Sequence, residues 1–345
     1  RLNEPVEFRD VALPEALNAE LLPEWSELCV SCRPFKVRSI NYPAPQGSLD
    51  EIRTGGGHAP LPSGAFLAAG RPEEGIFRVS STDAVRMEAD FDARPSVIHR
   101  LPGGGYLASE PRLLRWFEVD AGEMLVTTTT VVRVEDLGDG REITAMQVTP
   151  PGQPFAAFMT DSRSRVLRTD GRSLEVLLEV PDSLRPSVYT GSLVILGRDH
   201  FFATLDQPRV FEWRDGRLTR YERGVLAIST IASIPGFGLL AGNDAGEVWA
   251  LEPQGWRALG LAGLRDDVHR LLPYRNGFIA VLKGGFISQY ATHLDRFCPE
   301  MTGLPGAQNA ELTAMSPVPG GFFCSNCSQS RSGGAYGATW IELPN

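Results

Sequence analysis

A short turn pattern recurs along this 345-residue chain and constrains its fold more than any single residue does. In each copy, a strand-like run leads into a Pro/Gly turn, and an apolar strand follows the turn. Clear copies lie at 61–66, 101–106, 234–239 and 318–323, and looser copies lie at 151–155, 197–202 and 273–278. Repeats that hold several short strands per unit are typical of all-β architectures built from similar sheets.

The spacing of the copies predicts the type of repeat. The first large apolar residue after each turn serves as an anchor, and these anchors are Phe66, Tyr106, Phe155, Phe201, Leu239, Phe278 and Phe322. They lie about 43 residues apart on average, which is the length of a four-stranded propeller blade. The sequence therefore predicts an all-β fold, a seven-bladed β-propeller, with six blades and a separate terminal hairpin as the alternative.

The two ends of the chain are expected to meet in the last blade. That unit stops after its third strand, at 338–343, whereas the alternating segment 35–42 precedes the first unit. We expect 35–42 to complete the last blade, so that no open sheet edge remains. The predicted organisation is an N-terminal extension at 1–33, with a short helix at about 14–28 and a Cys-x-x-Cys motif, followed by the propeller at 34–345.

Charge and hydropathy exclude two classes of partner. The chain has 33 basic and 42 acidic residues, a net charge of −9, whereas nucleic-acid-binding proteins usually carry a basic excess. No apolar run approaches the roughly 20 residues of a membrane-spanning helix. We expect neither nucleic-acid binding nor a transmembrane segment.

One hairpin resembles a known family. The segment Gly242-Asn243-Asp244-Ala245-Gly246-Glu247-Val248-Trp249 is similar to the Asp-box of sialidase-like and BNR-repeat propellers, whose consensus is Ser-x-Asp-x-Gly-x-Thr-Trp. It departs from this consensus at Gly242 and Val248. In that family the Asp-box is a structural hairpin remote from the active site, so the resemblance implies the fold and no chemistry.

The five cysteines gather near the predicted closure. Cys29 and Cys32 precede the closing strand, Cys324 and Cys327 lie in the last blade, and Cys298 stands between the sixth and seventh units. In an exported protein the first four would form disulfides that join the N-terminal segment to the last blade. In a reducing compartment they could hold zinc through four thiolates, or remain buried thiols. Cys298 is free or pairs with one of the four, and no other cofactor is expected.

Three of the five histidines suggest an axial site. His58, His99 and His269 each lie late in the predicted innermost strand of a blade, the strand that lines the central channel. Three convergent imidazoles could hold iron or zinc there. The alternative is a polar lining for a wet channel, formed together with Arg100, Gln147, Thr230 and Arg270.

The turns between the second and third strands offer a second candidate site. Acidic and basic side chains recur in these turns, which should gather on one face: Glu110 with Arg112, Asp161 with Arg163, Asp206 with Arg209, and Asp244. Such a ring could bind a carboxylate or a sugar, and two of its carboxylates could act in glycoside hydrolysis. Alternatively, the acidic side chains cap backbone N–H groups of the turns.

These patterns favour a non-catalytic, exported propeller that binds a protein or a glycan, or acts as a scaffold. It would be secreted, periplasmic or displayed on the cell surface. The alternative is a propeller enzyme, either a glycan hydrolase or lyase or an enzyme with the axial histidine–metal site. Function on a propeller resides in its loops and cannot be inferred from the fold alone.

Overall fold

A computed structural model of the chain confirms the all-β prediction. It describes residues 32, 35–40, 58–69, 75–80, 84–87, 97–101, 104–110, 113–133, 143–162, 165–179, 192–206, 209–222, 227–275, 277–304, 314–318, 321–329 and 336–342. These residues form 29 strands and one short 3-10 helix, Thr292–Leu294. The helix predicted at about 14–28 lies outside the described residues, as do the last two residues of the predicted strand 35–42.

The strands form seven antiparallel sheets. Neighbouring strands follow one another in the chain, except in the last sheet, which the N-terminal strand joins, and in the sixth, where one short strand pairs outside this order. The first sheet contains β2 (His58–Pro60), β3 (Phe66–Ala69), β4 (Ile76–Val79) and β5 (Ala84–Met87). The second contains β6 (Val97–Arg100), β7 (Tyr106–Glu110), β8 (Leu113–Val119) and β9 (Leu125–Arg133). The third contains β10 (Ile143–Val148), β11 (Ala157–Asp161), β12 (Arg165–Thr169) and β13 (Leu174–Glu179).

The remaining sheets follow the same order. The fourth contains β14 (Ser192–Gly197), β15 (His200–Asp206), β16 (Arg209–Arg214) and β17 (Arg217–Glu222). The fifth contains β18 (Ile228–Ile234), β19 (Gly238–Asn243), β20 (Glu247–Glu252) and β21 (Gly255–Leu261). The sixth contains β22 (Val268–Tyr274), β23 (Gly277–Leu282), β24 (Phe286–Ala291), β25 (Arg296–Phe297) and the short β26 (Thr302–Gly303). The seventh contains β27 (Ala314–Val318), β28 (Gly321–Gln329), β29 (Tyr336–Glu342) and β1 (Lys36–Ile40).

Position within a sheet explains the hydrophobic pattern of each strand. The second strands β7, β11 and β23 are buried at every residue, because both of their faces pack against other sheets. The fourth strands β13 and β17 lie at the outer edge, and most of their residues are exposed or half-buried. Apolar anchors are therefore concentrated in the second strands, which is why the repeat is visible in the sequence.

The N-terminal strand closes the structure as expected. β1 pairs antiparallel with β29, with Lys36 opposite Glu342 and Ile40 opposite Ala338. Phe35, the residue before β1, is buried against Tyr274 of the sixth sheet. The pairing supplies the missing fourth strand of the last sheet and covers the edge of β29.

The sheets form a ring around their first strands. The first strands of successive sheets contact one another from β2 through β6, β10, β14, β18 and β22 to β27. The first and seventh sheets meet where Phe66 stacks on Phe323, with ring centroids 4.3 Å apart, and His58 packs edge-on against Phe323. These contacts surround a central axis with the first strand of each sheet.

The two faces of the ring differ in the turns that they carry. The upper face carries the turns between second and third strands, for example β7 to β8 and β19 to β20, and the beginnings of the first strands. The lower face carries the turns between first and second strands and between third and fourth strands. Because every sheet is an antiparallel meander, each predicted site can be assigned to one face.

Candidate functional site

Two of the acidic side chains predicted to bind a ligand on the upper face, those of Asp161 and Glu110, are engaged inside their own sheets. Asp161 is buried at the end of β11, where Oδ1 accepts the backbone N–H of Arg165 and Oδ2 accepts the Arg165 Nε–H at 2.7 Å. Glu110 is buried at the end of β7, and its Oε1 accepts a hydrogen bond from Arg115 Nε at 2.8 Å. Each carboxylate thus joins the end of its own strand to the beginning of the next strand.

The equivalent turn of the fifth sheet is capped by a different residue from the one predicted. Asp244 is exposed, whereas the buried Asn243 accepts backbone hydrogen bonds from Ala245 and Glu247 through Oδ1. Gly246 adopts φ +81° in this turn, a conformation that favours glycine. The hairpin that resembles an Asp-box is therefore a capped turn centred on Asn243.

The other residues of this prediction are only partly described. Arg209 lies at the start of β16, where its Nε donates to the exposed Glu222 of β17 at 3.0 Å. Asp206 ends β15 and is opposite Arg209 in the strand register. Arg112 and Arg163 lie outside the described residues. The described acidic and basic residues of the upper turns thus form contacts within sheets, and the ligand-binding ring stays a prediction.

The three histidines lie at different heights on first strands: His58 and His269 are near the upper ends of β2 and β22, whereas His99 is one residue before the lower end of β6. His58 begins β2 and is buried edge-on against the stacked rings of Phe66 and Phe323. His99 is the third residue of β6, and its Nε2 lies 3.0 Å from the carbonyl oxygen of Met146 in the neighbouring β10. This contact joins the second and third sheets, as Ser229 Oγ joins the fifth and sixth by donating to the carbonyl of Val268.

His269 occupies an irregular position in β22. The register with β23 shifts between Val268 and Arg270, so His269 is the extra residue of a β-bulge. Its Nε2 is buried and has no hydrogen-bond partner, and the same is true of Oδ1 of Asp267, two residues earlier. Two polar atoms at the start of β22 therefore retain unused hydrogen-bonding capacity.

Burial and the positive charge of Arg270 lower the pKa of all three histidines. Burial, followed by the positive charge of Arg270, lowers the pKa of His58 to about 3. Burial, then Arg270 and Lys283, lower the pKa of His269 to about 3 as well. Burial lowers the pKa of His99 against the opposing effect of the Met146 hydrogen bond, and Arg270 lowers it further. All three imidazoles are consequently neutral near pH 7.

A metal site would need a different grouping of donors. Among the residues that the structure describes, no three His, Cys, Asp or Glu side chains are grouped so that they could hold a metal ion. Arg270 carries a positive charge within electrostatic range of all three predicted ligands. Such a charge disfavours a nearby cation.

Cys32 forms a disulfide with a cysteine of the sixth sheet, whereas a disulfide to the last blade was predicted. Cys32 is bonded to Cys298, with Cα atoms 5.4 Å apart, so Cys298 takes the paired alternative. The cross-link joins the segment before β1 to the residue after β25, in the sixth sheet. Cys324 and Cys327 lie in β28, and Cys29 lies outside the described residues. Since Cys32 is oxidised here, it supplies no thiolate to a zinc site.

Sequence reasoning missed the basic partners of the buried acids. Arg115 follows Glu110 by five residues and Arg165 follows Asp161 by four, and both lie in third strands. The sequence had suggested the nearer Arg112 and Arg163 as the basic partners. Arg165 is the first residue of β12, whereas Arg115 is the third residue of β8 and lies opposite Ala108, so spacing along the chain does not identify the partner of each acid. A search for helices that could cross a membrane finds none among the described residues.

Comparison with known proteins gives the fold. No family model matches the chain, and no curated protein matches its sequence. Virginiamycin B lyase from Staphylococcus aureus, in a catalytically inactive histidine variant with quinupristin, is 12% identical with a TM-score of 0.65, covering 89% of this chain and 99% of its own.

Two further solved structures are similar over the same extent. YCF48 from Cyanidioschyzon merolae is 15% identical with a TM-score of 0.58, covering 90% of this chain and 99% of its own. BBS1N, in complex with ARL6DN, is 12% identical with a TM-score of 0.57, covering 89% and 98%. At such low identity the similarity extends to the architecture and no further, and the chain has the fold of the β-propeller proteins.

Proposed function

We propose that this chain is a non-catalytic, exported β-propeller that binds a protein partner through its lower face. The observation that carries the proposal is the position of exposed apolar side chains. Of the nine large hydrophobic residues exposed among the described residues, seven lie at or near lower-face turns: Val85, Met124, Val126, Val176, Leu196, Leu218 and Leu294. Apolar residues concentrated on one face are typical of an interaction surface.

The second, third and fourth sheets contribute most of this surface. Leu196 and Leu218 of the fourth sheet are 38% and 44% exposed, and Val176 of the third is 46% exposed. Gln153 of the third sheet donates to the carbonyl of Leu196, which ties the two sheets together at this point. A preformed apolar surface loses little conformational entropy when a partner binds.

Arginines surround these apolar residues although the whole chain is acidic. Arg172, Arg198 and Arg217 are exposed in or beside the lower-face turns of the third and fourth sheets. Arginine next to apolar side chains is typical of protein interfaces, whereas lysine and acidic residues are depleted there. The same turns also carry the exposed Asp170, Asp199 and Asp215, so the partner that fits this surface is a protein with a partly apolar patch of mixed charge.

Three further observations support the proposal. The buried Glu110 and Asp161 are held by arginines of their own sheets, which disfavours their use as a hydrolytic pair. BBS1N, which shares the fold, binds a protein in the complex described above. The disulfide between Cys32 and Cys298 supports export, because disulfides persist mainly in oxidising compartments.

The chain offers a matched pair of variants for the test. Leu196→Asp with Leu218→Asp changes the lower face, and Leu261→Asp with Leu264→Asp changes two upper-face leucines that are 46% and 39% exposed, close to the values of the first pair. Chemical cross-linking in the source cells and quantitative mass spectrometry should identify a protein captured by the wild type and by the upper-face control. Capture by the lower-face variant should fall about tenfold, as expected when a charge is buried in an apolar interface.

The captured protein must then bind the purified propeller with the same pattern of variants. Equal binding by both double variants would overturn the assignment of the lower face. Binding to a glycan array that requires Leu196 and Leu218 would instead support the glycan alternative. Turnover of a glycan substrate by the wild type would support the enzyme alternative.

A further inference from the structure

We infer that an extended acidic segment of the partner protein pairs with the outer edge of the fourth sheet, as a fifth strand beside β17. The inference rests on the proposed function for the partner being a protein, and it adds where and how that partner binds. Strand addition of this kind draws affinity from main-chain hydrogen bonds and selectivity from side chains. The edge adjoins the lower face, because the exposed Leu218 belongs to both.

β17 is the outermost strand of its sheet, and its pairing with β16 is regular. Arg209 lies opposite Glu222 at one end and Arg214 lies opposite Arg217 at the other, with no register shift between them. No described strand pairs with the other edge of β17. A regular edge of this length presents a continuous row of unpaired N–H and C=O groups.

The other outer strands are shorter, irregular or tied to a neighbouring sheet. β5 has four residues and β25 has two. Register shifts interrupt the pairing of β9, β13 and β21 with their neighbours. β1 has five residues, and its start is fixed by the hydrogen bond of Phe35 to Thr302 and by the disulfide of Cys32. Short strands, bulges and covering contacts protect sheet edges from pairing, and in the part of the chain described β17 has none of the three.

The hairpin turn determines which backbone groups of β17 point away from the sheet. Asp215 and Gly216 have φ angles of +50° and +79°, as in a two-residue type I′ turn. In such a hairpin the flanking residues, Arg214 and Arg217, exchange hydrogen bonds, and the pattern then alternates along the strand. The N–H and C=O groups that point outward are therefore those of Leu218, Arg220 and Glu222.

The side chains along this edge favour an acidic strand. Arg217 and Arg220 are exposed on opposite faces of β17, and the carboxylate of Glu222 is already shared by Arg220 and Arg209. Opposite charges on neighbouring strands are favourable, whereas like charges are unfavourable. An incoming strand with acidic residues beside Arg217 and Arg220 and an apolar residue beside Leu218 therefore fits the edge.

The same charges disfavour pairing with a second copy of the chain. A two-fold antiparallel pairing that uses all three outward-pointing residues is centred on Arg220, which then lies opposite Arg220 of the second copy. This register also places Leu218 opposite Glu222. Because like charges directly opposite each other are destabilising, the edge is protected against its own copy and open to an acidic strand.

The first test needs no variant. A library of random linear peptides displayed on phage is selected on the purified propeller, and we expect the enriched peptides to be acidic. In residue-resolved hydrogen exchange, a bound peptide should slow exchange at the outward-pointing amides of Leu218, Arg220 and Glu222. The intervening amides, which already pair with β16, should keep their exchange rates. Binding through side chains alone does not produce this alternation.

Two substitutions at one position separate main-chain binding from side-chain binding. Arg220→Pro removes an outward-pointing N–H, a change that an edge strand tolerates, whereas Arg220→Ala removes the same side chain and keeps the N–H. Arg220→Pro should weaken peptide binding about tenfold or more, through the lost hydrogen bond and the clash of the ring with the added strand. Arg220→Ala should weaken it at most about fivefold. Unchanged amide exchange in β16 is the check that the sheet is intact.

Three results would overturn the inference. They are the absence of enriched peptides, protection of β17 amides without alternation, and equal peptide binding by Arg220→Pro and Arg220→Ala. Dimer formation in sedimentation, with alternating protection in the absence of peptide, would assign the edge to a second copy instead.

Failure of the inference differs from failure of the proposed function. A captured protein that requires the side chains of Leu196 and Leu218, but binds Arg220→Pro and Arg220→Ala equally, would leave the lower-face proposal standing and remove the edge. Peptides that protect the outward-pointing amides, when no captured protein depends on Leu196 and Leu218, would support the edge and remove the lower face.

Discussion

His58 illustrates how burial determines the behaviour of a single residue. It packs edge-on against two stacked phenylalanine rings at the junction of the first and last sheets, and burial, followed by the charge of Arg270, lowers its pKa to about 3. Between pH 6.5 and pH 3 the unfolded chain binds a proton at this position and the folded chain does not. The stability supplied by neutral His58 is therefore present above pH 6.5 and is lost as the pH falls toward 3.

Replacing this residue should change the acid sensitivity of the fold. In His58→Gln the free energy of unfolding should fall less steeply over that interval, by up to about 1.4 kcal/mol per pH unit. Urea unfolding at a series of pH values measures the slope. His293→Gln, at an exposed position, should keep the wild-type slope. Identical slopes for wild type and His58→Gln would show that His58 is protonated in the folded protein.

Gly242 explains one departure from the Asp-box consensus. A Cβ atom at this position would lie 2.5 Å from Cγ1 of Val268 and 3.2 Å from Cγ2 of Thr230. The fifth and sixth sheets thus approach each other too closely here for any side chain. The serine of the consensus is excluded by packing between sheets, which the hairpin sequence alone does not show.

Restoring the consensus serine should therefore destabilise the protein. Gly242→Ser should lower the free energy of unfolding by about 1–3 kcal/mol, the usual cost of overpacking a core. Gly303→Ser is the matched control, because its Cβ would meet only Phe286 at an ordinary distance of 3.7 Å. Denaturant unfolding of both variants makes the comparison, and equal effects would contradict the packing argument.

At the scale of elements, β1 is held by pairing, packing and a covalent bond. It pairs with β29, and Phe35 lies in the core beside Tyr274 and donates its N–H to Thr302 Oγ1 at 2.8 Å. The disulfide fixes the chain three residues before Phe35 to Cys298. All three attachments reach either the last sheet or the sixth, so β1 links the two.

Removing the disulfide should loosen β1 before the rest of the ring. Cys298→Ser should lower the free energy of unfolding by about 2–5 kcal/mol, because the cross-link closes a long loop of the unfolded chain. Hydrogen exchange should become faster at the amides of 36–40, while those of β14 and β18 keep their protection. A reductant should reproduce this pattern in the wild type. Unchanged exchange in β1 would show that pairing and packing alone retain the strand.

The positions of most strands were predictable from the sequence. Six of the seven predicted anchors are the first or second residue of a second strand, namely Phe66, Tyr106, Phe201, Leu239, Phe278 and Phe322. This accuracy has a physical cause, because Pro/Gly turns and apolar second strands leave strong local signals. The disulfide pairing was not predictable, since the partner of Cys32 depends on how close the sixth sheet lies to the N-terminal segment.

At the scale of the whole molecule, the junction of the first and seventh sheets completes the ring. Phe323 is fully buried there, where it stacks on Phe66 and contacts the edge of His58. Phe158, which is equally buried, makes a comparable contact with Phe201 between the third and fourth sheets. Substituting each phenylalanine in turn compares the packing that closes the ring with ordinary packing between neighbouring sheets.

Truncation at the junction should weaken the two terminal sheets selectively. Phe323→Ala and Phe158→Ala should each cost about 3–5 kcal/mol, as buried Phe→Ala changes do. Hydrogen exchange should then rise mainly in the first and seventh sheets for the former and in the third and fourth for the latter. An even rise across all sheets in Phe323→Ala would show that the ring opens as one unit.

The sequence by itself determined the all-β class, the repeat and the strand that closes the last sheet. Each of these rests on local chemistry, namely turn residues, alternation and the burial of second strands, which are the same in every unit. Only the tertiary structure decided which residues meet across sheets: Cys32 with Cys298, and Phe66 with Phe323. Such contacts join residues far apart in the chain, and their geometry is set by the ring, so no local pattern encodes them.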